Sequence, residues 1–273
     1  MRGPRPVLGE ARAEVLADGA LTSLTESFFN GKGVLLSELP PWDTLVGWAA
    51  AGQDEVERAA ASLDPAQLRG PSRLEKWSRG HVLSHLARNA DALVNLLTWA
   101  RTGAESRMYS SPTDREDGIA AGADRELSEQ LADLTAADAR FLQAAAAVPE
   151  SRRTFPVISG QGRQIAAHEV PWLRVREAWL HLVDLDAGYG IDILPDAMAW
   201  SLTADVAGWM TPRVEATADL RVDGHGTIRL GSGATAGSVI AGSPQRLAGW
   251  LTGRTGTSGL SAAGGFPDLP RWL

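Results

Sequence analysis

One segment, residues 170–188, constrains the fold and the function of this chain more than any other. It reads VPWLRVREAWLHLVDLDAG, with Pro171 where a helix can begin and Gly188 where one can end. Glu177 and His181 are one helical turn apart, so both project from the same side of an otherwise apolar helix. A carboxylate and an imidazole are costly to bury there unless they share a proton or a metal ion. The pattern predicts an amphipathic helix that carries a functional pair.

Three further stretches have the apolar spacing of long helices. We predict them at residues 43–63, from the N-cap Ser78 to just before Gly103, and at residues 126–147. The residues expected to face inward are Leu45, Trp48, Val56 and Leu63 in the first, and Val82, His85, Leu86, Asn89, Leu93, Leu96 and Leu97 in the second. A short helix is expected across residues 113–121, and a small hairpin over residues 154–165. Four helices of about twenty residues favour a four-helix bundle.

The sequence pattern changes beyond Ile191. A helix near residues 195–209 leads into alternating apolar residues on both sides of the turn DGHG, which is typical of a β-hairpin. Residues 238–241 suit another strand, and Ser243 followed by Pro244 suits the start of a helix that continues through Leu251. The chain is therefore predicted to be mainly α. It divides into an N-terminal extension (1–40) that can be disordered, a helical bundle (41–190) and a small α+β C-terminal domain (191–273).

The amino-acid composition excludes several kinds of site and partner. The 273 residues include no cysteine, which excludes disulfides, thiolate-ligated zinc and a protein-borne thiolate nucleophile. Any thiol chemistry therefore needs an external small-molecule thiol. The net charge is −7 and the basic residues are scattered, which argues against a nucleic-acid partner. No apolar run reaches the roughly 18 residues of a membrane span, and no secretory signal is evident, so we expect a cytoplasmic protein.

The leading candidate site combines His85 with Glu177 and His181. Two imidazoles and one carboxylate make a three-ligand set with an open position, as in catalytic zinc sites. Spacing alone leaves alternatives. His81 and His85 are also one turn apart and could form a ligand pair, and an ordinary Glu–His pair beside a core histidine fits the pattern equally well. Arg254, in a glycine-rich loop after a helix, could grip a substrate carboxylate, although such arginines are more often solvated.

We predict supporting or surface positions for four other polar residues. Asp184 could orient a ligating imidazole, whereas Asp186 reads as a polar residue at a helix end. We expect His168 to lie on the surface in the first turn of the helix. His225, between two glycines of the hairpin turn, is expected to be exposed to solvent.

Several longer motifs carry a family resemblance. RLEKWSRGHVLSHLARNADAL (73–93), MYSSPTDREDGIAAGA (108–123) and WLRVREAWLHLVDLDAG (172–188), with a looser match in LAGWLTGRTG (247–256), resemble the mycothiol-dependent maleylpyruvate isomerase family. The resemblance implies a DinB-like four-helix metal-binding domain followed by a small C-terminal domain. It implies that His85, rather than His81, binds the metal with Glu177 and His181. It also implies that Arg254 takes part in activity by holding a substrate carboxylate.

The function implied by the resemblance is a thiol-dependent isomerisation. Zn²⁺ and mycothiol would be the cofactors, and maleylpyruvate would become fumarylpyruvate after the thiolate adds to and leaves the double bond. One alternative is a mycothiol S-transferase, or another thiol-dependent metalloenzyme, acting on a different electrophile. A second is a metal- or thiol-binding module without turnover. The expected partners are a small electrophilic substrate and the thiol, with no nucleic acid or membrane, and the protein is expected to be a monomer or homodimer.

Overall fold

The computed structural model describes residues 39–111, 113–234 and 237–272. The extension expected at residues 1–40 lies outside these ranges except for its last two residues. The helices are α1 (Trp42–Ala61), α2 (Pro65–Arg69), α3 (Arg79–Thr102), α4 (Asp114–Ala123), α5 (Leu127–Ala146), α6 (Glu169–Asp184), α7 (Asp196–Met210) and α8 (Pro244–Leu251). The strands are β1 (Pro156–Ile158), β2 (Gln164–Ala166), β3 (Ala218–Val222), β4 (Thr227–Leu230), β5 (Ser238–Gly242) and β6 (Ser261–Ala263).

The four long helices α1, α3, α5 and α6 form the predicted bundle. Each packs against two others, since α3 contacts α5 and α6 while α1 contacts the same two helices from the opposite side. The apolar residues predicted to face inward in α1 and α3 are all buried. Short helix α4 packs on α3, and the hairpin of β1 and β2 lies between α5 and α6 in the chain. This arrangement confirms the four-helix bundle that the helix pattern predicts.

The predicted ends of α3 are confirmed. The Ser78 side chain accepts a hydrogen bond from the backbone N–H of His81, and the His81 ring faces the Ser78 backbone N–H in return. Gly103 adopts φ of 81° and closes the last turn in the left-handed conformation. These two caps fix the start and the length of the helix. They therefore fix the depth at which His85 enters the bundle.

Helices α1 and α6 approach each other closely at Gly52. A side chain at Gly52 would collide with Trp179, because an added Cβ would lie 2.7 Å from the indole Nε1. That Nε1 instead donates a hydrogen bond of 2.9 Å to the carbonyl of Trp48. The indole therefore locks α6 onto α1, and the polar residues of α6 are held in a fixed orientation toward α3.

A charged side chain lies at the centre of the bundle. Arg174 of α6 is fully buried and donates to the Leu86 carbonyl at 2.8 Å, to Asn89 Oδ1 at 3.1 Å and to Gln53 Oε1 at 2.6 Å. We call Arg174, Gln53 and Asn89 the Arg174 cluster. It joins α1, α3 and α6 through polar contacts, since each residue comes from a different helix.

Helix α6 ends earlier than predicted. The sequence places its stop at Gly188, but the helix ends at Asp184, and Asp186 already adopts a left-handed φ of 54°. The cause is tertiary. The Asp184 carbonyl accepts from the backbone N–H of Arg73 at 2.8 Å, and the Asp186 carbonyl accepts from the Arg79 side chain at 2.9 Å. These donors satisfy carbonyls that would otherwise continue the helix.

Beyond residue 190 the chain forms a four-stranded sheet in the order β4-β3-β5-β6. Strand β3 pairs antiparallel with β4 and parallel with β5, and β6 pairs antiparallel with β5. Helices α7 and α8 pack on each other and on this sheet. The predicted alternation is confirmed, because Leu220, Val222, Ile228 and Leu230 are all buried. We propose that this part is a separate domain with its boundary near residue 190.

The expectation for His225 is wrong. Its side chain is only 12% exposed, because it stacks on Trp200 with ring centroids 5.0 Å apart and contacts Asp196 Oδ2 at 2.6 Å. The hairpin turn is thereby attached to α7. His168 is also partly buried, with its Nε2 3.0 Å from the Pro40 carbonyl. Within the described part of the chain, no helix is both long and apolar enough to span a bilayer.

Candidate metal centre

His85, Glu177 and His181 converge at one end of the bundle. Glu177 Oε2 lies 2.7 Å from His85 Nε2 and 3.1 Å from His181 Nε2. The two imidazole rings meet edge to face with centroids 4.8 Å apart. We call these three residues the triad. Helix α3 supplies one member and α6 the other two, so the caps of α3 and the Trp179 contact of α6 set their separation.

The triad is buried on one side and open on the other. The His85 side chain is 4% exposed, whereas the Glu177 side chain is 31% exposed. Burial lowers the pKa of His85, which therefore favours its neutral form. Burial alone would raise the pKa of Glu177, but the facing histidines outweigh it and hold this pKa well below its ordinary value. Burial opposes charge on His181 as well, yet hydrogen bonds to Asp184 and Glu177 raise its pKa to about 9.

The donor set of the triad suits a divalent metal ion. One potential ligand atom from each residue lies within 4.8 Å of the other two, and tetrahedral zinc with bonds of about 2 Å needs ligand atoms roughly 3–3.5 Å apart. Both Nε2 atoms face the same carboxylate oxygen. Without metal, each contact requires a hydrogen on the imidazole Nε2, which a neutral His85 and a protonated His181 can both supply. With metal, the same three atoms would offer their lone pairs to the ion. Two imidazoles and a carboxylate leave a coordination position open, and they fit zinc.

The structure separates the two histidines that spacing could not. His81 lies outside the triad, where its ring Nδ1 is 2.7 Å from Ser78 Oγ and forms part of the α3 cap. His85, one turn later, reaches Glu177. The geometry therefore brings together His85, Glu177 and His181 and assigns His81 to helix capping.

Asp184 and Arg254 extend the triad toward the C-terminal part of the chain. Asp184 Oδ2 lies 2.9 Å from His181 Nδ1, so it contacts the ring nitrogen that faces away from Glu177. The Arg254 guanidinium grips the same carboxylate, with Nε 3.2 Å from Oδ1 and Nη2 2.8 Å from Oδ2. Burial acts to raise the pKa of Asp184, but His181 and Arg254 hold it below its ordinary value. Arg254 thus reaches the site, with its planar fork directed at Asp184.

Three further side chains beside the triad could not be singled out from the residue pattern. Arg115 of α4 has Nη2 3.5 Å from His85 Nδ1, and the Trp77 ring lies 5.4 Å from the His85 ring. Tyr109 interacts electrostatically with both Arg115 and Glu177, and burial raises the pKa of its hydroxyl although Arg115 opposes this. All three belong to the motifs at 73–93 and 108–123. The motifs were the available signal, but spacing within them does not reveal which side chains turn toward the triad.

The loop at residues 70–78 forms one wall of the site. It closes on itself through a bridge between Pro71 and Ser78 and through hydrogen bonds from Ser72 to the Trp77 carbonyl. It carries the Trp77 ring that covers His85. Its residues also line an open cleft of about 510 Å³. The lining of this cleft includes Trp77 but none of the triad residues. At the triad itself, the buried His85 ring faces Trp77, and the partly exposed Glu177 side chain leaves one side accessible to solvent.

Comparisons with known proteins match the part of the chain that carries the triad. The family profile described as "Mycothiol maleylpyruvate isomerase N-terminal domain" matches residues 49–186. The structure titled "Crystal structure of the mycothiol-dependent maleylpyruvate isomerase" is 31% identical with a TM-score of 0.77, covering 85% of this chain and 97% of that chain. A histidine-to-alanine mutant of that isomerase gives 30% identity and a TM-score of 0.76 over the same shares. No curated protein sequence matches the chain.

Proposed function

The chain belongs to the mycothiol-dependent maleylpyruvate isomerase family, and on that premise we propose that it converts maleylpyruvate to fumarylpyruvate with mycothiol as the thiol. The observation that carries the proposal is the convergence of two imidazoles and a carboxylate on one point, beside an open edge. The chain has no cysteine, which agrees with a nucleophile that arrives from outside.

His85, Glu177 and His181 would hold a zinc ion. When bound, the ion supplies positive charge that lowers the pKa of an incoming thiol and favours the thiolate. Asp184 keeps the His181 ring oriented through its contact with Nδ1, so that Nε2 stays directed at the ligand position. Trp77 shields the buried side of His85 from water. Each of these residues positions donors rather than reacting itself.

The isomerisation requires no net change in composition. The thiolate sulfur forms a bond to one carbon of the cis double bond, and the electron pair of that bond moves into the conjugated carbonyl as an enolate. The former double bond is now single and can rotate. When the enolate collapses, the carbon–sulfur bond breaks, the trans double bond forms and the thiolate leaves. Donors placed near the enolate oxygen stabilise the negative charge.

Arg254 is proposed to act at this site in two capacities. Its fork stabilises Asp184, and through Asp184 it orients His181. Its side chain is 12% exposed, and its Nη1 donates to the Thr252 carbonyl, so any hydrogen bond to a substrate carboxylate must use the donor positions that remain. This deepens the sequence-based proposal that Arg254 holds substrate: the residue has a positioning role as well.

The decisive experiment measures maleylpyruvate isomerisation by purified protein with zinc, with and without mycothiol. We expect turnover only when both are present. Conversion without added thiol, or with the zinc removed by a chelator, would contradict the proposed mechanism. Zinc analysis of the same sample tests the triad independently of the substrate.

The alternatives give different results in the same experiment. A mycothiol S-transferase would bind zinc and consume the thiol with other electrophiles while leaving maleylpyruvate unchanged. A module without turnover would bind zinc or thiol and give no product with any electrophile. Protein that neither contains zinc nor takes it up would exclude both thiol-enzyme functions.

A further inference from the structure

The two histidines of the triad differ in what faces their outer ring nitrogen. His181 Nδ1 meets the acceptor Asp184 at 2.9 Å, which is the usual partner of a metal-binding imidazole. His85 Nδ1 instead meets a cation, since Arg115 Nη2 lies 3.5 Å away. Among the described residues, this is the hydrogen-bonding contact of His85 Nδ1. One histidine thus has a carboxylate behind it, and the other has a guanidinium.

This asymmetry matters once His85 binds a metal. A metal on Nε2 requires the neutral ring to carry its hydrogen on Nδ1. Nδ1 then donates, and the facing Arg115 also donates only. Two donors that face each other need an acceptor between or beside them, and an anionic oxygen is the best one. The protein supplies this acceptor for His181 but places a second donor at His85.

Arg115 has the capacity to bind such an anion. Its side chain is 35% exposed, and its ion-pair partner is the neighbouring Glu116 at 3.1 Å, which is 63% exposed. An exposed pair of this kind is weak and easily exchanged. The Trp77 ring lies 5.8 Å from the guanidinium and supports it in place. Arg254, by contrast, is already engaged with the buried Asp184.

We propose that Arg115 determines substrate specificity by binding one carboxylate of a dicarboxylate ligand beside the triad. The proposal rests on the proposed function, since maleylpyruvate carries two carboxylates. An oxygen of the bound carboxylate would accept hydrogen bonds from Arg115 and from His85 Nδ1. It would thereby fill the acceptor position that the protein leaves open. The second carboxylate or the carbonyl groups would then lie toward the open edge at Glu177 and Arg254.

The test compares two cis ligands that differ in one carboxylate. Binding of maleate and of isocrotonate, its monocarboxylate counterpart, is measured by calorimetry on zinc-loaded protein without thiol. We expect the wild type to prefer maleate. In Arg115→Ala the dissociation constants of maleate and isocrotonate should both rise about tenfold to a hundredfold, because each ligand has a carboxylate that can occupy the Arg115 position. Arg115→Lys should lie between, because it keeps the charge and loses the fork.

Controls separate this role from others. Arg107→Ala removes an exposed arginine whose partner is Glu105 and should leave maleate binding unchanged. Zinc content should be normal in both Arg115 variants, and the KM for mycothiol should not change. An unchanged maleate dissociation constant in Arg115→Ala, a loss of zinc in both variants, or a raised KM for the thiol alone would each overturn the proposal.

The outcomes also distinguish this inference from the proposed function. A protein that shows Arg115-dependent maleate binding but does not isomerise maleylpyruvate would refute the proposed reaction and retain the binding site. A protein that isomerises maleylpyruvate but shows an unchanged maleate dissociation constant in Arg115→Ala would support the proposed reaction and refute the Arg115 site.

Discussion

Helix α6 carries two charged side chains one turn apart, and one is fully buried while the other is partly exposed. Arg174 is enclosed by three helices and directs its hydrogen bonds to Leu86, Asn89 and Gln53. Glu177, three residues later, faces two histidines and keeps 31% of its side chain exposed. The same pairing of helices supplies both, since α3 contributes Asn89 to the first and His85 to the second.

The difference lies in the balance of donors and acceptors. In the Arg174 cluster a donor-only cation meets oxygen acceptors, so the hydrogen bonds that form need no added group, although the buried Arg174 Nε and Gln53 Nε2 have no hydrogen-bond partner. In the triad the Glu177 carboxylate can accept from both imidazoles while each carries a hydrogen on Nε2, and loss of those hydrogens would leave three converging lone pairs that fit a metal ion. Burial of polar residues is therefore a poor guide to function by itself. A set of converging ligand atoms beside a solvent-exposed edge is a better guide to a functional site.

The largest expected effect is on the triad. Changing His85, Glu177 or His181 to alanine should remove most bound zinc and lower kcat/KM by more than about a hundredfold, because even supporting residues of metal sites cost that much. Metal analysis and steady-state kinetics measure this. The bundle should stay folded, as judged by circular dichroism, since the Arg174 cluster is untouched. Retention of stoichiometric zinc by His85→Ala would disprove the ligand assignment.

Disruption of the Arg174 cluster should lower the stability of the protein but leave zinc binding intact. Arg174→Ala leaves the buried oxygens of Gln53 and Asn89 without their donor and should cost about 3–5 kcal/mol of the free energy of unfolding. For a protein of this size that corresponds to a fall in Tm of roughly 6–20 °C, measured by thermal denaturation. The folded fraction at low temperature should still bind zinc. An Arg174→Ala variant that is stable but free of zinc would show that Arg174 belongs to the metal site. The contrast between a structural cluster and a functional triad would then be wrong.

Asp184 and Arg254 test how far the site extends. Asp184→Asn should weaken zinc binding about 10- to 100-fold, and Arg254→Ala should lower kcat/KM about ten- to two-hundredfold. If Arg254 acts through Asp184, the double variant should cost no more than the worse single variant. Full additivity in this double-mutant cycle would instead indicate that Arg254 contacts substrate independently.

The smallest effect is expected for His81. His81→Ala removes one half of the reciprocal cap of α3, which should lower the free energy of unfolding by about 0.5–1 kcal/mol. Zinc content and kcat/KM should equal those of the wild type. Zinc loss in His81→Ala together with zinc retention in His85→Ala would reverse the assignment of the two histidines.

Much of the helical framework could be predicted from local patterns. The N-cap Ser78, the left-handed Gly103 and the apolar stripe between them define α3 without any tertiary information. The end of α6 could not be predicted in this way, because it depends on Arg73 and Arg79, which are about a hundred positions earlier in the chain. The burial of His225 in the hairpin turn could not be predicted for a related reason, because it comes from stacking on Trp200 of another element.

The candidate site was predictable only in part. The residue pattern predicted a site of His85, Glu177 and His181 but left His81 open as an alternative, and the family resemblance favoured His85 over His81. Arg115 and Trp77 could not be assigned because their roles depend on how α4 and the loop at residues 70–78 pack against α3. The Arg254 position was given by the resemblance, but its contact with Asp184 joins two parts of the chain that periodicity treats separately. Contacts between distant segments are what sequence patterns lack.

The hydrogen bond from the Arg73 amide to the Asp184 carbonyl has a consequence for the dynamics of the site. That amide can exchange its hydrogen with solvent only when the loop at residues 70–78 separates from the last turn of α6. The same separation moves Trp77 away from His85 and loosens the turn that holds His181. We therefore expect the wall of the site and the end of α6 to open together. Zinc, by binding across α3 and α6, should slow amide exchange in a loop that it does not touch.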